Sequence, residues 1–143
     1  MMDRLHVLIV EDDPMIAEIS EEILLDNGYA VCGVTGCADE AVAMARKRKP
    51  DLALIDLRLS DNGSGTEVGA RLVPLGRIGV IYTTGNAAPH VFRDAIGDAC
   101  LIKPYVYEDL VRALEIVSTI FATGAASPPF PRQFRLLNAA RRV

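Results

Sequence analysis

The sequence predicts an α/β domain: a doubly wound parallel sheet of five strands with five helices on its two faces. Two observations carry that expectation. Five short apolar runs rich in β-branched residues alternate with segments of helical periodicity, the pattern of a parallel sheet covered on both sides. Acidic, hydroxyl and lysine residues fall at the carboxyl ends of those runs, where ligands sit in open α/β sheets. With 143 residues, 50% of them hydrophobic, the chain suits one domain whose core needs no covalent staples.

The expected strands cover residues 5–10, 29–34, 51–56, 78–83 and 99–102. After the first, Asp13 and Pro14 form an N-cap and first-turn pair. Ile16, Ile19, Ile23 and Leu24 then make one apolar stripe that stops at Gly28. Ala41, Val42 and Ala45 mark a second helix ending before Pro50, where the basic run Arg46 to Lys49 complements the helix dipole. A third helix is expected over 67–75 and a short fourth over 87–95, with Pro89 tolerable only in its first turn. Leu110, Leu114, Val117 and Phe121 mark the fifth. Beyond residue 121 the composition turns to Ala-Thr-Gly-Ala-Ala-Ser-Pro-Pro-Phe-Pro. The expected division is therefore a domain over 1–121 and a mobile, Pro-rich, basic tail over 122–143.

Charge narrows the function. Residues 1–121 hold all 19 acidic and 11 of the 15 basic residues, and the tail holds four arginines and no acid. An acidic body argues against direct nucleic-acid binding, which rests on clustered Lys and Arg neutralising phosphates. No apolar stretch is long enough to span a bilayer, and the residues before Leu5 do not form a signal peptide, so a cytoplasmic protein is expected. Cys32, Cys37 and Cys100 match no metal-ligand spacing and read as small buried hydrophobes.

Glu11 and Asp12 after the first strand and Asp56 at the end of the third supply the carboxylates that a hard cation such as Mg²⁺ takes, usually together with a phosphoryl oxygen. Metal would keep Asp56 ionised, and an ionised aspartate is a competent nucleophile toward phosphorus. Lys103 and a hydroxyl such as Thr84 could then neutralise and hold the transferred group. Asp13 reads as a cap rather than a ligand, Asp61 as turn chemistry, and His6 and His90 as ordinary structural residues.

In this arrangement the chain resembles a response regulator receiver domain over about residues 4–121. The likeness rests on Glu11-Asp12, Asp56, Thr84 and Lys103-Pro104, in that order and on those elements. It implies a flavodoxin-like sheet of order 2-1-3-4-5. Asp56 would be the phosphoacceptor, Asp12 a direct Mg²⁺ ligand, Glu11 a ligand through water, and Arg58 a metal ligand through its backbone carbonyl. Thr84 is preferred over Thr83 as the switch hydroxyl because it directly precedes Gly85. Many receivers carry an aromatic residue three positions before the lysine; here that position is Cys100. Tyr82-Thr83-Thr84-Gly85 is similar to an aromatic-X-Thr-Gly motif of single-domain receivers known from alphaproteobacteria, in which the segment after the glycine carries the response.

The resemblance implies a stand-alone regulator that takes a phosphoryl group from a histidine kinase or histidine phosphotransfer protein and signals to an unidentified downstream protein. It would not itself be an enzyme with a released product. A monomer or weak dimer without an output domain is expected. The alternative is a phosphorylation-independent interaction module that kept the fold and lost the switch, which the cysteine at position 100 and the short fourth helix would suit.

Overall fold

The computed structural model describes residues 4–59, 64–85 and 95–137. Its sheet contains β1 (His6–Val10), β2 (Ala30–Thr35), β3 (Leu52–Asp56), β4 (Gly79–Thr84) and β5 (Ala99–Ile102), all parallel. Val7, Ile9, Leu54, Ile81 and Leu101 face one side, where they pack against α1 (Pro14–Asp26) and α4 (Tyr107–Thr123). Leu8, Val10, Ile55, Val80 and Tyr82 face the other, against α2 (Ala38–Arg48) and α3 (Gly65–Leu72). Alternation along fully buried strands produces the two cores, as two-faced burial of a parallel sheet requires.

The expectation of five strands is corrected. A sixth, β6 (Phe134–Leu136), pairs antiparallel with β5, and the order is β2-β1-β3-β4-β5-β6. It comes from the Pro-rich tail. Phe134 is buried opposite Leu101 and stacks on Phe130 with ring centroids 5.6 Å apart. The connection from α4 is pinned by Arg112, whose guanidinium donates to the carbonyls of Ser127 and Pro129 at 2.7 and 2.9 Å. Prolines bring no N–H to a ladder, so this stretch is held through its carbonyls.

The expectation of five helices is corrected as well: four α-helices lie among the described residues. The helix expected over 87–95 falls, except for Ala95, outside them. The third helix starts earlier than expected because Ser64 caps it, accepting from the Thr66 N–H, with Glu67 in the first turn. It tightens into a 3₁₀ turn, Val73–Leu75, around Pro74. Asp13 caps α1 as expected, accepting from the N–H groups of Met15 and Ile16. Cys100 is buried, whereas Cys32 and Cys37 are half-buried, so the expectation of three buried thiols holds for one. Among the described residues no helix is long and apolar enough to cross a membrane.

Tyr82 fills the space beside Cys100, its neighbour across β4 and β5. Its ring lies against the backbone of Gly69 on α3 and of Gly97, and its hydroxyl donates to the Ile96 carbonyl at 2.7 Å. A methyl group on Gly69 would collide with the tyrosine hydroxyl. A large aromatic thus occupies this core from β4 rather than from β5.

Candidate functional site

Strand ends bring the residues together. The ladder sets the end of β3 beside β4, with Asp56 opposite Thr83, and the Lys103 N–H donates to the Thr84 carbonyl at 2.7 Å. The Glu11 N–H donates to Thr35 and fixes the start of the loop after β1. Two glycines allow the loops to close in. Gly36 lies against Asp12, where an added Cβ would stand 2.7 Å from the Asp12 Cα. Gly65 presses on the Asp56 carbonyl, and its N–H donates to Leu57 at 2.9 Å. Any side chain at either position would displace the loop bearing the acidic residue.

The result is an open cleft of about 610 Å³ lined by Glu11, Asp12, Asp56, Arg58, Thr84 and Lys103, together with Asp13, Ile16, Leu59 and Gly85. Every residue expected at the site lies on its wall. Thr83 does not line it; it lies behind Asp56 around a small void shared with Ser20, Leu54 and Tyr105. His6 is exposed on β1, and Asp61 and His90 lie outside the described residues.

Inside the cleft, Lys103 Nζ stands 3.2 Å from Asp56 Oδ2 and 3.7 Å from Glu11 Oε1. The Arg58 N–H donates to Asp56 Oδ1 at 3.1 Å, and the Asp13 N–H donates to Glu11 Oε2 at 3.2 Å. Burial, the hydrogen bond to Asp56 and the charge of Asp56 push Glu11 up to about 7, against the opposing pull of the Asp13 N–H and Lys103. Glu11 therefore keeps its proton to a higher pH than a free carboxyl does.

Glu11, Asp12 and Asp56 each offer an oxygen, all within 4.8 Å of one another. The donor set fits a hard divalent cation: three carboxylates, an open mouth for water, and an acid whose proton a cation would displace. Apparent Mg²⁺ affinity should rise with pH by up to about tenfold per unit below about 7 and level off above. Titration calorimetry across that range checks this, and a flat profile would remove the proton assigned to Glu11. Because Glu11 is raised from the ordinary carboxyl value of 4.5, the metal-free protein should lose stability as pH rises from 4.5 to about 7.

Tyr105 was not singled out by the sequence. It lies two residues after Lys103, half-buried, and burial followed by the charges of Glu11 and Asp56 pushes its phenol up to about 12. It forms a neutral floor behind the acidic cluster. An aromatic directly after Lys103-Pro104 was the signal available.

Comparison with known proteins agrees with this geometry. The family model of the response regulator receiver domain matches residues 7–115, so the chain belongs to that family of two-component signalling domains. PdtaR, a transcriptional regulatory protein of Mycobacterium tuberculosis, is 32% identical over 122 residues. That match takes in 81% of this chain but 58% of PdtaR, so the chain spans little more than half of that relative. The receiver domain of a modulated diguanylate cyclase from Desulfovibrio desulfuricans superposes with a TM-score of 0.75 at 31% identity, over 86% of this chain and 100% of that one. The anti-anti-sigma factor PhyR from Bartonella quintana superposes with a TM-score of 0.66 at 30% identity, over 85% of this chain and 50% of PhyR.

Proposed function

We propose that the protein accepts a phosphoryl group on Asp56 from a histidine kinase or histidine phosphotransfer protein and signals by altering contacts with a downstream protein. The observation that carries this reading is one cleft in which Asp56 stands between a carboxylate cluster and Lys103, at 3.2 Å. When bound, Mg²⁺ would screen the approach of a phosphoryl group to the carboxylates and orient its oxygens. Asp12 and Asp56 would hold the ion directly, Glu11 through water and Arg58 through its carbonyl. Asp56 supplies the attacking oxygen, and the phosphorus–nitrogen bond to the donor imidazole breaks as the phosphorus–oxygen bond forms. The imidazole leaves with the electron pair and takes up a proton from water. Lys103 then neutralises a phosphoryl oxygen, and Thr84 donates its hydroxyl to another.

A donor must bring its phosphohistidine to the cleft mouth, and the surface beside that mouth is apolar. Ile16, Ile19, Ile23, Pro104 and Leu110 line a groove there, next to exposed Met15, Val106 and Tyr107. This patch suits an apolar helix of the donor, which leaves the imidazole free to point at Asp56. PhyR of Bartonella quintana is an anti-anti-sigma factor, and signalling by protein contact is the mode proposed here. We place the protein in the cytoplasm with its proposed phosphodonor, and as a monomer or weak dimer because β6 covers the β5 edge that another copy could otherwise pair with.

The test is intact mass after incubation with Mg²⁺ and a small phosphodonor such as acetyl phosphate, followed by a histidine-phosphorylated donor protein if the small donor fails. One phosphoryl group, acquired only with metal, is the expected result. No uptake from either donor would leave the phosphorylation-independent interaction module as the reading.

A further inference from the structure

Lys103 is clasped from the tail. The Ile102 N–H, just before it, donates to the Gln133 carbonyl at 2.9 Å. The Pro104 carbonyl, just after it, accepts from Gln133 Nε2 at 2.9 Å. One residue of the C-terminal segment therefore bonds to both chain neighbours of the lysine that reaches Asp56. Gln133 is itself held: it immediately precedes β6, whose Phe134 is buried, and the Leu137 N–H at the far end donates to the Asp98 carbonyl at 2.9 Å. The third tether on Lys103 is its own N–H on Thr84. The lysine backbone is thus fixed from β4 on one side and from the tail on the other.

From this clasp we propose that Gln133 is a positioning residue for Lys103, and that docking of the tail strand and phosphorylation of Asp56 oppose one another. The second half rests on the function proposed above. In the docked, unphosphorylated state Lys103 Nζ reaches inward to Asp56 and Glu11. A phosphoryl group on Asp56 moves the negative charge outward into the cleft, and the ammonium group follows it. A backbone clasped at Ile102 and Pro104 resists that shift, so a loaded site loosens Gln133 and the strand behind it. Linkage then requires the reverse: loosening the tail favours loading by the same factor. The β5 edge uncovered by an undocked β6 is a row of strand-pairing groups, available to an extended segment of a protein partner.

Two measurements test this, and the first does not depend on phosphorylation. Lys103 shares the chain with Lys47 and Lys49, which lie at the far end of α2 and serve as internal references for acetylation by an activated ester. In Gln133→Ala, acetylation of Lys103 relative to the other two should rise about two- to tenfold, the equivalent of one net hydrogen bond. Arg135→Ala, which alters the same strand without touching the Lys103 neighbours, should leave the ratio at the wild-type value. Equal ratios in wild type and Gln133→Ala would overturn the positioning role.

The second measurement is hydrogen exchange of the Ile102 and Leu137 amides, with the mass of the same sample recording phosphoryl load. In loaded protein both amides should exchange at least about threefold faster. Unchanged or slower exchange in fully loaded protein would overturn the opposition. Absence of load would instead refute the phosphoacceptor reading, and the acetylation ratio would still decide the clasp.

Discussion

Asp56→Ala is expected to abolish phosphoryl uptake completely, in the presence of Mg²⁺ and with any donor, while the protein stays folded. The loss is total because the oxygen that forms the new bond is gone, and neither carboxylate nearby replaces it. Glu11 is tied to the Asp13 N–H and Lys103, and Asp12 would be engaged in holding the cation. The fold survives because Asp56 contributes little packing. It is a strand-end carboxylate whose own charge helps to hold Glu11 at about 7. Removing it takes away both the hydrogen bond and the negative charge that raise Glu11, so the metal-free loss of stability between pH 4.5 and about 7 should become shallower in the variant. Intact mass and pH-dependent thermal melts check the two halves. Stoichiometric uptake by Asp56→Ala would sink the assignment of the nucleophile.

The largest effect on stability is expected where Tyr82 meets Gly69. Tyr82→Ala should cost about 3–5 kcal/mol, because a fully buried ring leaves a hole between β4, α3 and Gly97. Gly69→Ala should cost about 1–3 kcal/mol for the opposite reason, since its methyl group has no room beside the tyrosine hydroxyl. The informative variant is the pair Gly69→Ala with Tyr82→Phe. Removing the hydroxyl makes room for the methyl, so the pair should be less destabilised than the two single changes summed. Urea unfolding measures the cycle; strict additivity would mean that the close approach is not what constrains Gly69.

Most of the site was legible because its signals are local. An acidic pair after an apolar run, an aspartate ending another and a lysine before proline need only their own strands to be placed. The preference for Thr84 over Thr83 also rested on local order, and the cleft is lined by Thr84. What escaped depends on pairs distant in sequence. Nothing in Phe134-Arg135-Leu136 announces a strand: three residues alternate too briefly, and the prolines upstream read as breakers. Its pairing with β5 arises because Phe134 finds the apolar core at Leu101. Gly36 and Gly65 look like ordinary turn glycines until the backbone each one touches is known. The start of α3 was a local miss, since Ser64-Gly65-Thr66-Glu67 carries the spacing of a capping box.

The basic run at the end of α2 has a consequence for how the molecule behaves in a crowded solution. On β2, at the opposite edge of the sheet from β6, a bulge leaves Cys32 between the paired residues Val31 and Gly33. The carbonyl of Cys32 accepts from the Arg48 guanidinium. A charged side chain thus sits on one border of the sheet and a short strand bearing Arg135 closes the other. Uncovered sheet borders are templates for polymerisation, and positive charge is a common means of blunting them. Charge held at the β2 border by Arg48 is therefore expected to disfavour edge-to-edge pairing of one copy with another there.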